Sequence, residues 1–498
     1  MSWYDEAVFY HIYPLGLSGA PRRHDESLTG ADGRPAFTNR LLPMEAWIPM
    51  IQALGCTAVY IGPLFESEGH GYETTDYKKV DQRLGSNEDF AHFVQTCHGH
   101  DMKVIVDGVF NHTGRSFFAF QDILKNRENS PYRDWYCNVR FGENDSYNDG
   151  FRYDNWGGYD LLVKLNQRNP AVCDYIYDVM RFWVKEFDID GIRLDAADVL
   201  DFNFMKGIRW CADNIGKPDF WLMGEVIHGD YGRWANKETL HSVTNYALHK
   251  GLYSGHNTKN YFEIAHTVKY IFERVGQTKL YTFVDNHDVE RIASRVDDKR
   301  MLDPIYTLLF LLPGIPSIYY GSEFGIEGRK GKQDDNEIRP YLNPADYADE
   351  IHTNPLTRHI AALGRIHAAC PEASDGEYRE LLLKNREYAF ARVGRDGALI
   401  AACNIEDGPV TLRLQVPGGF LGEKAELLLP GTEGAETGAE GAETGAEGAE
   451  AGTEGAEAGA DGVQAEQKAD AQQILKAEAG SVTVTIPSMS SVVVRIPR

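Results

Sequence analysis

The chain of 498 residues is too long for one compact core, and with 43% hydrophobic and 25% charged residues it has the composition of an ordinary water-soluble protein. No apolar run reaches the roughly 18 residues that cross a membrane, and a formal net charge of −24 disfavours nucleic acid or an anionic membrane as partner. The seven cysteines are scattered without a CxxC pair, so neither a disulfide framework nor a zinc site is expected. The first residues, MSWYDEAVFYHIY, lack the regions of a signal peptide, so we expect a cytoplasmic protein.

From the N-terminus to about residue 365, short β-branched or aromatic runs alternate with longer amphipathic stretches. The predicted strands are 7–13, 58–65, 103–110, 191–196, 220–226, 243–247, 280–284 and 317–320. The predicted helices between them include 87–98, 171–186, 262–275 and 302–312. Eight strands that alternate with helices predict an α/β fold, a parallel (β/α)8 TIM barrel.

Two regions depart from the barrel pattern and leave 1–112 and 167–370 for the barrel itself. Residues 113–166 are rich in Gly, Asn, Asp and aromatics, which predicts a small domain inserted after the third strand, at the C-terminal face. Short alternating segments within 371–498, such as 388–393, 399–404, 410–416 and 481–486, predict a C-terminal antiparallel β-sandwich domain. Inside that domain, 431–462 repeats Gly, Ala and Glu with nine acidic residues and no Lys or Arg, which predicts a disordered loop.

Four segments place ionisable residues where predicted barrel strands end. They are VDGVFNH at 106–112, DGIRLDAAD at 190–198, WLMGEV at 221–226 and FVDNHD at 283–288. Side chains at the C-terminal ends of barrel strands form the active sites of barrel enzymes. A single buried Arg–Asp pair is more often structural, but four such segments in barrel order predict a catalytic site.

In this order the segments resemble the α-amylase family of glycoside hydrolases. Further stretches resemble other motifs of that family: IGPLF at 61–65, HGYETTDY at 70–77, LVKLN at 162–166 and GIPSIYYGSE at 314–323. The resemblance covers nearly the whole chain. It implies a barrel with an inserted domain B and a C-terminal β-domain, and cleavage of glucosidic bonds with retention of configuration.

By this resemblance, Asp195 is the nucleophile that forms a covalent glycosyl-enzyme, Glu225 is the acid/base, and Asp288 holds sugar hydroxyls as the ring distorts. Arg193 lies two residues before Asp195 on the same strand face, so we expect it to keep that carboxylate ionised. Asp107 resembles the aspartate that orients this arginine. The other implied substrate-binding residues are His70, Tyr72, His112, His287, Asp335 and Arg339.

The residues after the nucleophile separate this chain from ordinary α-amylases, which carry Lys-His where Asp198 and Val199 stand here. The change removes an expected calcium ligand although Asn111 resembles another, so we expect no cofactor and doubt the usual calcium site. The stretch DAADVLDF at 195–202 resembles instead the cyclomaltodextrinase, neopullulanase and maltogenic amylase branch. Two features depart from that branch: Ile227 replaces a usual Trp, and the first strand begins too early to leave room for its N-terminal domain.

These features predict a retaining hydrolase whose partner is an α-1,4-linked glucan oligosaccharide, a maltodextrin or cyclomaltodextrin. Three alternatives use the same fold: a transglycosylase that transfers the glycosyl unit to a sugar, an ordinary endo-acting α-amylase on starch, and a non-enzymatic binding subunit. The last is disfavoured because such relatives lose the three carboxylates. Glu73 stands where exo-acting α-glucosidases often have Asp, which argues against strict release of single glucose units. The sequence does not set the oligomeric state.

Overall fold

The computed structural model describes residues 2–24, 28–331, 334–417, 424–431, 473–478 and 480–498. The acidic repeat predicted to be a disordered loop lies, from residue 432 onward, outside the described residues.

Eight short parallel strands form the barrel and confirm the predicted α/β fold. They are β1 (Phe9–Ile12), β2 (Ala58–Ile61), β3 (Lys103–Gly108), β4 (Gly191–Leu194), β5 (Trp221–Gly224), β6 (Ser242–Val243), β7 (Tyr281–Phe283) and β8 (Ile315–Tyr319). Their hydrogen-bonded order is β6-β5-β4-β3-β2-β1-β8-β7, and a parallel bridge between Thr244 and Tyr281 closes the ring. The barrel interior is apolar and includes Phe9, Trp221 and Phe283. Strands that are buried on both faces carry apolar residues throughout, as these do.

One predicted strand is wrong in its second half. The stretch 243–247 is a strand only to Val243, and a helix, Tyr246–Asn257, begins three residues later. The side chain of Asn245 accepts a hydrogen bond from the Leu248 amide at 3.0 Å, so Asn245 caps this helix. The cap overrides the β propensity of the surrounding residues.

Helices surround the barrel, and each of the four predicted helical segments matches one of them. The helices of at least five residues are Ile48–Ala53, Asn87–Gly99, Phe118–Asn126, Pro170–Phe187, Phe202–Asp213, Tyr246–Asn257, Tyr261–Val275, Leu302–Leu311, Pro355–Ala369 and Pro371–Asp375. The buried Trp183 on Pro170–Phe187 stacks on Phe65 with ring centroids 4.3 Å apart, which holds this helix against the chain that follows β2. Among the described residues, no helix is long and apolar enough to cross a membrane.

Two excursions leave the barrel on the side of the strand ends. After β2, the antiparallel hairpin Phe65–Ser67 with Thr74–Val80 carries the 68–73 loop. After β3, the chain forms two small antiparallel sheets from the strands His112–Thr113, Arg140–Phe141, Phe151–Arg152, Asn155–Trp156 and Tyr159–Lys164. The Leu165 amide donates to the Asn111 carbonyl at 3.0 Å, which ties the return strand to the start of the excursion. The domain boundaries at 113–166 and 371–498 stay predictions.

The C-terminal region is an antiparallel sheet of eight strands. They are β9 (Glu377–Leu383), β10 (Glu387–Val393), β11 (Gly397–Asn404), β12 (Val410–Gln415), β13 (Lys424–Leu429), β14 (Gln473–Glu478), β15 (Ser481–Ile486) and β16 (Ser490–Pro497). Their order is β9-β10-β11-β16-β13-β14-β15-β12, and the first and last of these touch. The sheet therefore folds back over a second apolar core that includes Ile400, Leu412 and Val494.

Candidate active site

The four motif segments meet at the C-terminal ends of the barrel strands. Arg193 on β4 lies level with Asp107 on β3 and with Met223 on β5. The backbone ladder continues one residue past the strands: the Asp195 amide donates to the Gly108 carbonyl at 3.1 Å, and the Glu225 amide donates to the Leu194 carbonyl at 2.9 Å. The sheet thus fixes the backbone of both candidate catalytic carboxylates.

One guanidinium group connects the carboxylates of three neighbouring strands. Arg193 Nη1 lies 2.8 Å from Asp107 Oδ1 and 2.9 Å from Asp195 Oδ1. Its Nη2 lies 2.9 Å from Glu225 Oε2. Burial alone would lower the pKa of Arg193, but Asp107 and Glu225 hold that pKa well above its usual range. The predicted pairing of Arg193 with Asp195 is present, and the pairing with Glu225 was not anticipated from the sequence.

Sharing Arg193 leaves Asp195 short of compensating positive charge. Burial raises the pKa of the Asp195 carboxyl well above its usual range; Arg193 opposes this rise, and Glu225, Asp107 and Asp288 add to it. The expectation that Arg193 keeps Asp195 ionised is therefore met only in part, since Arg193 opposes the rise in the pKa of Asp195 but does not reverse it.

Backbone strain follows the candidate nucleophile directly. Ala196 has φ 45° and ψ 45°, in the left-handed region that residues with a side chain rarely adopt. In this conformation its amide donates to Glu225 Oε2 at 3.1 Å. The strained residue therefore gives the carboxylate on β5 a donor from the end of β4.

A second ion-pair cluster lies across the site, around Asp288. Arg339 Nη2 lies 3.0 Å from Asp288 Oδ1 and 3.1 Å from Asp335 Oδ2. His287 Nε2 lies 3.0 Å from Asp288 Oδ2. Burial would raise the pKa of Asp288, but His287 and Arg339 together hold it well below its usual range. The structure thus brings Asp288, His287, Asp335 and Arg339 together as the sequence predicts.

The hairpin after β2 brings Tyr72 into the same cluster. The Tyr72 hydroxyl donates to Asp107 Oδ2 at 3.0 Å and hydrogen-bonds His287. His112 is buried with Nε2 3.0 Å from the Tyr72 carbonyl, and burial lowers the pKa of His112 to about 4, so this ring is neutral. His70 lies on the rim with 53% of its side chain exposed, and its ring reaches Glu73 at 3.1 Å.

A groove of about 710 Å³ opens between the excursion after β3 and the segments that follow β4 and β5. Its lining includes Lys164, Asp198, Phe202 and Arg233. The Arg233 guanidinium lies 4.6 Å from the centre of the Phe202 ring. Neither Asp195 nor Glu225 lines this groove. Burial, with Glu225 adding to it, raises the pKa of Asp198, so this lining residue lies near the Glu225 carboxylate.

Sequence reasoning missed several side chains that contact the site. The Tyr13 ring stacks on His287 with ring centroids 5.9 Å apart. The Arg339 guanidinium carbon lies 4.6 Å from the centre of the Tyr13 ring. Tyr246 lies beside Glu225, with its hydroxyl 3.4 Å from Glu225 Oε1, and Asn286 donates to that hydroxyl at 3.2 Å. A signal for Asn286 was present, since it lies inside the FVDNHD segment; Tyr246 was assigned to a strand and Tyr13 to the strand end, so neither was considered.

Asn111, which resembles a calcium ligand, lies outside any cluster of carboxylates in the described part of the chain. Asn111 Oδ1 is buried without a hydrogen-bond partner in the described part of the chain, so this oxygen is available as a cation ligand. However, no group of three or more His, Cys, Asp or Glu residues that could hold a metal ion occurs among the described residues. Calcium normally takes about six to eight oxygen ligands, from carboxylates, carbonyl groups and water. The expectation of no cofactor stays a prediction.

Comparison with known proteins assigns the family. The profile described as "Alpha amylase, catalytic domain" matches residues 46–355. The chain belongs to the α-amylase family. It is therefore a glycoside hydrolase of the α-amylase type, and the predicted resemblance is confirmed.

Relatives of this α-amylase-family protein include members of the predicted branch. A cyclomaltodextrinase from a Bacillus species is 28% identical over 83% of this chain and 75% of its own length. An intracellular maltogenic amylase from Bacillus subtilis is 32% identical over 66% of this chain but only 56% of its own length. The solved structure of a debranching enzyme from Nostoc punctiforme, soaked with acarbose, superposes with a TM-score of 0.76 at 25% identity, over 99% of this chain and 98% of that one.

Proposed function

We propose that this protein hydrolyses α-1,4-glucosidic bonds of maltodextrins and cyclomaltodextrins with retention of configuration. The observation that supports this most is the position of Asp195 and Glu225 on adjacent strand ends, both bound to Arg193, with Asp288 opposite. Retaining glycosidases need two carboxyl groups that flank the scissile bond closely enough for one to attack while the other protonates.

In the first step, Asp195 acts as the nucleophile and Glu225 as the acid. A carboxylate oxygen of Asp195 forms a bond to the anomeric carbon while the bond from that carbon to the glycosidic oxygen breaks. The proton of Glu225 moves to the departing oxygen, so the released sugar is a neutral alcohol. Arg193 stays between the two groups and stabilises the negative charge that moves from Asp195 to Glu225.

In the second step, Glu225 acts as a base. It takes a proton from water as the water oxygen attacks the anomeric carbon, and the bond to Asp195 breaks. The two inversions restore the α configuration, and both carboxyl groups return to their first protonation states.

The cluster around Asp288 has the side chains to hold the ring that reacts. We assign Asp288, His287 and His112 to the hydroxyl groups of this ring, and Tyr72 to its face. Arg339 and Asp335 bind the neighbouring sugar, with His70 at the rim. Because Arg339 and His287 already fix the Asp288 carboxylate, little reorganisation is needed when the ring distorts.

Small soluble oligosaccharides are the proposed substrates. Relatives carry the names cyclomaltodextrinase, maltogenic amylase and neopullulanase. Glu73 is buried and its carboxylate accepts from the Gly71 amide at 3.2 Å, so it is turned into its own loop, which argues against a role in holding a terminal glucose. Location in the cytoplasm, where imported oligosaccharides arrive, belongs to this proposal.

Hydrolysis of maltoheptaose followed by proton NMR tests the mechanism. We expect the newly formed reducing end to appear first as the α anomer, and an initial β anomer would contradict retention. Relative kcat/KM for maltoheptaose, β-cyclodextrin, pullulan and starch tests the substrate. Efficiency on starch greater by about tenfold, or 1.4 kcal/mol of transition-state preference, would favour an ordinary α-amylase. Products longer than the substrate would favour a transglycosylase.

A further inference from the structure

The two carboxylate oxygens of Glu225 have different surroundings. Oε2 accepts from Arg193 Nη2 at 2.9 Å and from the Ala196 amide at 3.1 Å. Oε1 has one hydrogen-bond partner in the described part of the chain, the Tyr246 hydroxyl at 3.4 Å. Because two donors already occupy Oε2, a proton carried by Glu225 belongs on Oε1.

The direction of the Tyr246 hydroxyl is set by Asn286. The Oδ1 atom of Asn286 accepts from the Asp288 amide at 2.8 Å, which fixes the orientation of the side-chain amide. Its Nδ2 then donates to the Tyr246 oxygen at 3.2 Å. Since the tyrosine oxygen accepts this bond, its own proton is left to donate to Glu225 Oε1.

The Tyr246 ring has little freedom to move. It packs edge-on against Phe283 on β7 with ring centroids 5.0 Å apart, and against His249 at 6.2 Å. It is the first residue of the helix that Asn245 caps. Burial, with Glu225 adding to it, raises the pKa of Tyr246 well above its usual range, so the hydroxyl remains a donor.

We propose that Tyr246, oriented by Asn286, is a positioning residue that holds Oε1 of Glu225 toward the glycosidic oxygen. This inference rests on the proposed function. As the proton of Oε1 moves to the glycosidic oxygen and the bond to the anomeric carbon breaks, negative charge develops on Oε1. The hydrogen bond from Tyr246 strengthens at that moment, because hydrogen bonds to charged acceptors are about twice as strong as neutral ones.

The test compares substrates that differ in their need for the acid. Maltoheptaose requires protonation of its leaving oxygen, whereas fluoride leaves α-maltosyl fluoride with little help from an acid. The constant kcat/KM reports only the steps through cleavage of this bond, so the later role of Glu225 as a base does not enter. Glu225→Gln sets the scale, since it removes the acid itself and should affect maltoheptaose far more than the fluoride.

For Tyr246→Phe we expect kcat/KM on maltoheptaose to fall by about 10- to 100-fold, the usual effect of a hydrogen bond to a charged group. On α-maltosyl fluoride the fall should stay below about threefold. The matched control is Tyr306→Phe, which removes a buried hydroxyl that has no hydrogen-bond partner in the described part of the chain and should change neither value.

Asn286→Asp gives an independent variant that keeps the tyrosine. Its new oxygen would take the Tyr246 proton in place of donating to Tyr246, while the other oxygen still accepts from the Asp288 amide. We expect the same preference for the fluoride substrate. Equal losses of Tyr246→Phe on both substrates, or no loss on either, would overturn the inference. Full activity of Glu225→Gln on maltoheptaose would instead overturn the proposed function.

Discussion

The two ends of β4 each carry a buried aspartate, and the two are held in opposite ways. At the start of the strand, Asp190 accepts from the Val104 amide at 2.9 Å and lies within 3.1 Å of His98, Lys103 and Lys217. At the end of the strand, Asp195 shares the single cation Arg193 with two other carboxylates.

The charge of each aspartate follows from these partners. Burial would raise the pKa of Asp190, but His98, the Val104 amide and Lys217 hold it at about 2. Burial raises the pKa of Asp195, and its shared arginine does not reverse this. On β4, neighbouring cations thus stabilise the charge of Asp190 at the start of the strand. The charge of Asp195 at the end of the strand is compensated less, as expected for a barrel with its active site at the C-terminal face.

The largest predicted effect comes from neutralising Asp195 or Glu225 at the strand ends. We expect Asp195→Asn and Glu225→Gln each to reduce kcat on maltoheptaose by at least about 10³-fold, because nucleophile and acid/base act as a unit. The melting temperature should not fall, since each change reduces the number of carboxylates that compete for Arg193. Steady-state kinetics with calorimetry measures both, and near-normal turnover of Glu225→Gln would contradict the assignment.

Removing the shared cation should follow in size. In Arg193→Met, Asp195 loses its opposing charge and its pKa should rise further, so a smaller fraction is ionised at pH 7. We expect kcat/KM to fall by about 10²-fold or more at pH 7, and the acid limb of its pH profile to move to higher pH. Arg193→Lys, which keeps a positive charge, is the control and should move the limb less. An unchanged limb in Arg193→Met would show that Arg193 does not set the charge of Asp195.

Replacing Asp190, at the start of β4, should lower the stability of the protein and leave its activity unchanged. The folded pKa of Asp190 is about 2 against an ordinary 3.8, so its stabilisation is present above pH 3.8 and is lost as pH falls toward 2. We expect Asp190→Asn to lower the unfolding free energy by about 2 kcal/mol at pH 7 and by much less near pH 2. Chemical unfolding at both pH values measures this; a large loss of kcat in the folded variant would break the comparison.

Removing calcium should have little effect on stability. We expect a chelator to shift the melting temperature by less than about 2 °C, because the described residues near Asn111 provide no carboxylate cluster. Scanning calorimetry with chelator, then with calcium restored, is the measurement. A drop of many degrees that calcium reverses would contradict this prediction.

The smallest effect should come from the acidic repeat at 431–462. Replacing 431–462 with a short Gly-Ser linker should leave kcat/KM for maltodextrins within about twofold, since its composition favours a solvated loop. Solubility should decrease because nine acidic residues are removed. A large loss of activity in a folded variant would place this loop at the substrate.

Most of the barrel could be predicted because its strands are short apolar runs between helices. All eight predicted strands overlap observed ones, and only the capped helix start at Tyr246 was read as strand. In the C-terminal sheet, β9, β13, β14 and β16 were not predicted individually. The side chains of β9 alternate poorly between buried and exposed, so a periodicity of two does not reveal this strand.

The candidate site could be predicted as a list of residues but not as a set of contacts. Strand-end motifs identify Asp195, Glu225 and Asp288 one strand at a time. The bond from Arg193 to Glu225 joins two strands and depends on barrel register, which no single motif contains. Tyr246 comes from a helix after a sixth strand, where local sequence gives only a capping signal.

The left-handed backbone at Ala196 limits how this scaffold can diversify. A β-branched side chain would raise the cost of positive φ beyond the about 1–2 kcal/mol that alanine bears. Glycine would remove the strain, but it would also free the amide that faces Glu225. Position 196 is therefore expected to tolerate substitution less well than the surrounding loops, because a change there alters the donor to Glu225 Oε2.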